Sequence, residues 1–347
     1  MVKNKINHIL VIRLSAMGDI AMTVPVLLAF LRAYPDIKVT VLTRGFFAPI
    51  FSDITNVSVF EADVKGRHKG IKGLWRLYRE LKHLPIDAIA DLHNVLRSQV
   101  LKSFFRNSGL PFIQIDKGRN EKKALTAWKK KDIKPILSTH ERYSEVFHKM
   151  GFYFTLSKSD LKRKGILTKT INKFLGGTEL RLIGIAPFAA FEGKMYPLSC
   201  MEKVIKHLNN TNQYKIILFG GGTKEKDNLE KLCGIYSNCI NAAGALSFAE
   251  ELILISNLDL MVSMDSGNAH LAAMYGVPTI TLWGVTHPYA GFYPFAQDPD
   301  YALLANREQF PYVPTSVYGN KAPKGYEKAM TTIDPQDVIK KIQAVLA

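Results

Sequence analysis

The chain has 347 residues, 47% hydrophobic and 22% charged, with 46 Lys+Arg against 30 Asp+Glu for a net charge of +16. That length and composition suit two packed α/β domains and exclude a disordered chain. No apolar run approaches the ~20 residues of a membrane-spanning helix. Cys200, Cys233 and Cys239 form no Cys-x-x-Cys pair, so neither a disulfide framework nor a zinc site is indicated.

The first apolar run, His8 to Arg13, is too short for a secretion signal, so the expected location is the cytoplasm. The charge is one-sided. Residues 1–170 hold 31 Lys+Arg and 14 Asp+Glu, whereas residues 171–347 hold 15 and 16. An acidic partner for the first half follows: nucleic acid, an anionic membrane surface or a phosphorylated substrate.

In chain order, Ile9 to Ile12 reads as a strand buried on both faces, and the loop Arg13 to Gly18 leads to a long helix from Asp19 to Tyr34. A strand over Lys38 to Leu42, a helix over Phe46 to Phe51 and a strand over Val57 to Glu61 follow. Next come a helix over Gly70 to His83, a strand over Ile86 to Asp91, a helix over Arg97 to Phe105 and a strand over Phe112 to Ile115. This alternation predicts a parallel sheet with helices on both faces.

Residues 117–134 break the pattern. Lys117, Arg119, Lys122, Lys123, Lys129, Lys130, Lys131 and Lys134 crowd around Trp128. The stretch reads either as a solvated basic face or as an arm toward an acceptor or a membrane.

Residues 155–178, polar and basic, read as the connection between domains. Strands are then predicted over Leu182 to Ala186, Tyr214 to Phe219, Leu258 to Ser263 and Thr279 to Trp283. Helices are predicted over Leu198 to Leu208, Glu225 to Cys233, Phe248 to Ser256 and Asn268 to Met274. Residues 286–330 read as loop-dominated. Pro335 to Leu346 is a last helix with Asp334 as its cap. The domains expected are 1–165, 178–330 and a C-terminal helix over 331–347.

Four loops carry candidate chemistry, each at the end of a strand, where open α/β sheets bind ligands. Leu14-Ser15-Ala16-Met17-Gly18-Asp19 opens the first helix, with Asp19 either its N-cap or a reactive carboxylate. It lacks the G-x-G-x-x-G fingerprint of a dinucleotide site. Ala186 to Lys194 is a small-residue loop able to wrap a diphosphate, with Lys194 as point charge. Gly220-Gly221-Gly222 permits a tight turn. Ser263 to His270 delivers Asp265 to a helix start, whose exposed N–H groups suit phosphate.

Taken together, Ser15-Ala16-Met17-Gly18-Asp19 and Asp265-Ser266-Gly267-Asn268-Ala269-His270-Leu271-Ala272-Ala273 resemble the ADP-heptose:lipopolysaccharide heptosyltransferases of glycosyltransferase family 9. Gly276-Val277-Pro278 and Trp283-Gly284-Val285-Thr286-His287-Pro288 extend the likeness. The resemblance implies a GT-B fold, with two facing Rossmann-like parallel-sheet domains, an active site between them, and neither metal nor cofactor. It implies an inverting transfer of a heptose or related sugar from an ADP-sugar to a lipopolysaccharide inner-core acceptor.

Asp19 would be the base, with Lys194, the Ser266-Gly267 helix start and Thr286 on the diphosphate. Glu225 would hold the ribose, Leu246 line the adenine pocket, Asp265 hold the donor sugar and His270 support the phosphate loop. Ala189 and Ala190 stand where family members often carry Ser or Thr, so backbone N–H groups must serve there.

The basic half suits an acidic, lipid A- or Kdo-like acceptor at the cytoplasmic face of the inner membrane, met peripherally. Lys117, Arg119, Lys122 and Lys123 are its candidate contacts. Rival readings are a GT-B transferase for another nucleotide sugar or glycan, a nucleic-acid binder and a nicotinamide oxidoreductase. The nucleic-acid reading lacks a motif or stacking aromatics, and the oxidoreductase lacks the glycine fingerprint.

Overall fold

The computed structural model describes residues 6–129 and 131–347. Lys130 lies outside the described residues. The chain forms two compact units, one of Met1–Lys117 with Thr139–Lys162, the other of Gly118–Ser138 with Arg163–Ala347.

The strands and helices of the first unit and its crossing segment are β1 (His8–Ile12), α1 (Met17–Ala21), α2 (Thr23–Ala33), β2 (Lys38–Thr43), β3 (Val57–Glu61), α3 (Gly70–Leu81), β4 (Ala88–Asp91), α4 (Leu96–Phe105), β5 (Phe112–Gln114), α5 (Arg119–Leu125) and α6 (Thr139–His148). There follow α7 (Lys169–Leu175), β6 (Arg181–Ala186), α8 (Leu198–Thr211), β7 (Tyr214–Leu218), α9 (Thr223–Ile235), β8 (Cys239–Asn241), α10 (Phe248–Ser256), β9 (Leu260–Met264), α11 (Gly267–Ala273), β10 (Thr279–Trp283), β11 (Ala302–Leu304) and α12 (Pro335–Leu346).

The first sheet has strand order β3-β2-β1-β4-β5 and the second β11-β10-β9-β6-β7-β8. Every pairing is parallel. The central strands are apolar because helices cover both faces: Ile9, Leu10, Val11 and Ile12 are fully buried, as are Leu260, Met261, Val262 and Met264. In the second unit Val338, Ile339 and Ile342 of α12 join Val204, Ile205 and Leu208 of α8 in one core. The C-terminal helix is therefore part of that unit.

Strand order reverses once in each sheet: between β1 and β4 in the first, between β6 and β9 in the second. Such switch points open a crevice at the carboxyl ends of their strands.

Several local expectations need correction. The long first helix is two helices, α1 and α2, because Pro25 has no N–H to donate back to Ala21 and interrupts the ladder. Asp19 is the third residue of α1, not its cap; Ala16 takes the cap position. Residues 155–162 stay with the first unit, where Arg32 binds the Thr155 carbonyl and Asp160, and Lys162 donates to the Ile50 carbonyl at 3.1 Å. The stretch from Lys169 to Leu175, read as linker, is helical because Thr168 caps it and Ile171 and Leu175 are buried. The short strands β8 and β11 carry too few alternating residues to be seen in sequence.

The basic stretch groups with the second unit rather than with the first. Its packing explains why: Trp128 stacks on Tyr312 at 3.9 Å, and the Lys131 ammonium donates to the Tyr312 and Pro314 carbonyls, each at 2.5 Å. Burial, then nearby Arg307, pulls the Lys131 pKa down to about 8.

Candidate active site

At the switch point of the first unit, β1 is followed directly by Arg13, which is 6% exposed. A cation at the end of a buried strand must find partners. Arg13 donates to the Leu92 carbonyl beyond β4 at 2.7 Å and pairs with the Asp19 carboxylate at 2.5 Å. Its guanidinium also lies 5.9 Å from the ring centre of Tyr143. The buried Tyr143 hydroxyl in turn donates to the Asp19 backbone carbonyl at 3.2 Å.

Asp19 also accepts the Ala16 N–H at 3.3 Å, a weak return bond to the helix start. The carboxylate is the open member of the pair, its side chain 25% exposed against 8% for Arg13.

His93, just past β4, completes this corner. Its Nδ1 accepts the Leu14 N–H at 3.4 Å, leaving Nε2 toward the Ser15 hydroxyl at 3.4 Å. Burial, then the neighbouring cations Arg13 and Lys117, holds its pKa down at about 3, so the ring is neutral. Asp91, fully buried at the end of β4, accepts the His93 and Asn94 N–H groups and the Gln114 amide. It fixes this loop and has no free oxygen for chemistry.

The same carboxyl edge holds a cavity of about 580 Å³ lined by Arg44, Phe46, Glu61, Asp63, Lys65 and Arg67, among others. Asp63 is committed to the Gly66 and Arg67 N–H groups, and Arg67 to Glu80. The lining therefore carries both signs, Arg44 and Lys65 facing the same space as Glu61 and Asp63.

At the switch point of the second unit, Lys194 follows β6 and Asp265 follows β9. Their side chains meet at 2.9 Å, 14% and 8% exposed. A tight backbone frame sets Lys194. The Val285 N–H donates to the Gly193 carbonyl at 3.0 Å. A Cβ on Gly319, which has φ +85°, would stand 2.2 Å from the Lys194 side chain, so only glycine lets the 312–319 loop press on it.

Ser266 occupies the cap of α11 without capping it. Its hydroxyl turns back to Ser263 at 3.0 Å, so the first N–H groups of the helix lack a side-chain acceptor from the cap. The Thr286 hydroxyl, past β10, is buried with no hydrogen-bond partner among the described residues, as a group built for a ligand would be. His270 is buried, one turn into the short helix α11.

Glu225, in the first turn of α9, accepts the Gly221 N–H at 2.7 Å and so clamps the triple-glycine turn. It lines a cavity of about 530 Å³ with Phe188, Ala189, Lys224, Asn228 and Glu327, among others. Leu246 is half-buried in the loop between β8 and α10.

The structure thus gathers Lys194, Asp265 and Thr286 on one edge of the second sheet, with Glu225 and Leu246 on neighbouring strand ends of that edge. Asp19 sits at the matching edge of the first. The four basic candidates differ in their surroundings. Lys122 is buried with its ammonium 4.3 Å from the Phe292 ring centre, whereas Arg119 and Lys123 are exposed on α5. Lys117 belongs to the other unit. Sequence reading missed Arg13, His93 and the Arg44–Lys65 cavity; the one available signal was a charged residue directly after a fully apolar strand.

The cysteines are free thiols. Burial pushes Cys233 up to about 11 and Cys239 to about 12, as for inert core thiols. Among the described residues no group of three or more His, Cys, Asp or Glu could hold a metal ion.

Comparison with known proteins bears on this geometry. The chain is 24% identical over 288 residues to a lipopolysaccharide core heptosyltransferase of Haemophilus influenzae, covering 80% of this chain and 79% of that one. The solved glycosyl transferase family 9 protein of Veillonella parvula superposes with a TM-score of 0.76 at 20% identity, over 98% and 97% of the two chains. The Escherichia coli heptosyltransferase WaaC, solved with ADP-2-deoxy-2-fluoro heptose, superposes with a TM-score of 0.67 at 19% identity, over 97% and 99%. These likenesses establish the GT-B fold for the two parallel-sheet units. The profile of glycosyltransferase family 9 (heptosyltransferase) matches residues 74–311, most of the chain, and the protein belongs to that family.

Proposed function

We propose that the chain transfers a heptose or closely related sugar from an ADP-sugar to an acidic inner-core acceptor of lipopolysaccharide, with inversion at the anomeric carbon. The observation that carries this reading is the pair of switch-point ion pairs. One leaves a carboxylate open and the other leaves an ammonium open.

The acceptor hydroxyl oxygen attacks the anomeric carbon while Asp19 takes its proton. The bond from that carbon to the β-phosphate oxygen breaks, and the electron pair leaves with the nucleoside diphosphate. A positioned base is worth ~10²–10⁴-fold in rate. The growing charge on the leaving phosphate meets the Lys194 ammonium, the α11 N–H groups and the Thr286 hydroxyl, the preorganised stabilisation that acyl- and phosphoryl-transfer sites use. Asp265 orients Lys194 and accepts from the donor sugar. His270 supports the phosphate loop. Glu225 and the adjoining cavity receive the ribose, with Leu246 beside the base. Ala189 and Ala190 leave the diphosphate to backbone donors. No metal is needed in this scheme.

In the first unit's cavity, Arg44 and Lys65 are the groups that would meet an acidic sugar of the acceptor. The enzyme works peripherally at the cytoplasmic face of the inner membrane: no described helix is long and apolar enough to cross it.

A transfer assay with a panel of nucleotide sugars and lipid A-core acceptors tests the reading. ADP-heptose is expected to be the best donor, ADP to raise Tm as a ligand of the folded state must, and EDTA to leave turnover intact. Protection by UDP and not by ADP would move the protein to another donor within the same fold.

A further inference from the structure

The outer face of α3 has no place in the chemistry above. Gly73, Leu74, Leu77 and Leu81 point inward, as a 3.6-residue period requires. The opposite side exposes Ile71 at 72% and Trp75 at 49%, one helical turn apart. Trp75 is held in place from beneath, 5.1 Å edge-on to Phe104 of α4 and 5.1 Å from Tyr78. It is therefore a fixed aromatic ledge rather than a loose side chain.

Around this ledge Lys69, Lys72, Arg76, Arg79 and Lys82 are all exposed, α4 adds Arg97 and Lys102, the latter bonded to Gln114 at 2.7 Å, and Arg106 follows just past α4. Among the described residues no ion pair engages Lys72, Arg76 or Arg79. The one carboxylate of α3, Glu80, is bound by Arg67 and His68. The face is thus apolar at its centre, cationic at its rim and without an available anion. Soluble surfaces normally intersperse both signs.

We propose that this α3–α4 face docks the enzyme on an anionic phospholipid surface. Ile71 and Trp75 enter the headgroup layer, and the surrounding Lys and Arg side chains meet lipid phosphates. Large apolar side chains within a basic rim, on a helix lying in the interface plane, are the features that bind such surfaces. The proposal rests on the reading of the acceptor as a membrane lipid and adds which surface meets the membrane. The loop 62–69 connects the two: Asp63, Val64, Lys65 and Arg67 line the cavity of the first unit, and Gly70 then opens α3. Docking through α3 would bring that cavity beside the headgroups.

The test uses the full-length chain and phosphatidylglycerol-containing vesicles that hold no glycolipid, with pure phosphatidylcholine vesicles as reference. Wild type is expected to co-sediment with the anionic vesicles only, less so at high salt. Combined Lys72→Glu, Arg76→Glu and Arg79→Glu should weaken partitioning at least about 100-fold, at roughly fivefold per lost charge. Ile71→Ser with Trp75→Ser should weaken it about tenfold.

In a Trp128→Phe background, with Trp283 buried, bromine-labelled acyl chains should quench Trp75 fluorescence. Both surface variants should transfer to a delipidated, water-soluble acceptor as wild type does. Unchanged vesicle binding in the variants, equal binding to neutral vesicles, or unquenched Trp75 would overturn the docking face. Failure of wild type to transfer at all would instead sink the glycosyltransferase reading and leave the vesicle result standing.

Discussion

Arg13–Asp19 and Lys194–Asp265 are both ion pairs at switch points, yet they expose opposite members. In the first the arginine side chain is 8% exposed and the aspartate 25%; in the second the aspartate side chain is 8% exposed and the lysine 14%. Each buried partner is a counter-ion that holds the exposed one in position. A proton acceptor and an anion stabiliser are therefore built from one device, turned over. Arg13 suits the buried role because its fork reaches Leu92 and Asp19 at once, whereas Lys194 offers a movable point charge.

Neutralising the open carboxylate breaks the comparison most severely. Asp19→Asn is expected to cut transfer by ~10²–10⁴-fold with ADP affinity unchanged, as single-turnover kinetics and calorimetric titration would show. Tm falls too, since the buried Arg13 loses its counter-charge, but circular dichroism at 25 °C stays native. Unaltered transfer would make Asp19 a structural partner of Arg13 alone.

Removing the open ammonium comes next. Lys194→Ala should cost ~10²–10³-fold in kcat, the scale of one lost oxyanion donor, and weaken ADP binding as well. The contrast between the two variants in nucleotide affinity is the sharper result. Changing the counter-ion costs less: Asp265→Asn keeps the shape and should raise donor KM about tenfold, the value of one charge-assisted hydrogen bond. Steady-state kinetics at saturating acceptor would measure it.

A different kind of effect, on stability rather than turnover, is one of pH. His93 beside Arg13 is held near 3, and His287 of the second unit near 4 by burial and then by Arg307 and Lys131. Unfolding restores both toward 6.5. Between the folded and unfolded values the unfolded chain binds more protons, so stability present above pH 6.5 is lost as pH falls. The slope is about 1.4 kcal/mol per pH unit per histidine. Urea melts from pH 7 to pH 4 should follow it, and His93→Gln should make the decline shallower by about one histidine's share. An unchanged slope would mean that His93 is protonated in the folded protein.

The two basic regions make the same point about context. Residues 117–134 and the α3–α4 region are both rich in Lys and Arg and both carry a tryptophan. In the first, Lys122 is buried, Lys131 is half-buried on the Tyr312 and Pro314 carbonyls, and Trp128, though 51% exposed, is stacked on Tyr312. In the second, Trp75 is exposed to the same degree, at 49%, but the exposed Lys72, Arg76 and Arg79 have no ion pair among the described residues. Only the vesicle experiment above tells whether that difference is functional.

Much was legible from residue order alone. Unbroken apolar runs such as Ile9 to Ile12, alternating with amphipathic helices, determine parallel strands buried on both faces. The loops at Asp19, Lys194, Glu225 and Asp265 then fall at strand ends, because period and punctuation are local properties. Tertiary structure alone decided which groups meet. Arg13 and Asp19 are close in sequence, but their partners Leu92, His93 and Tyr143 arrive through strand order and through α6. Lys194 and Asp265 are joined because β6 lies beside β9. Strand order and burial arise from long-range packing, which sets the reach and solvation of each charge, and no local pattern encodes either.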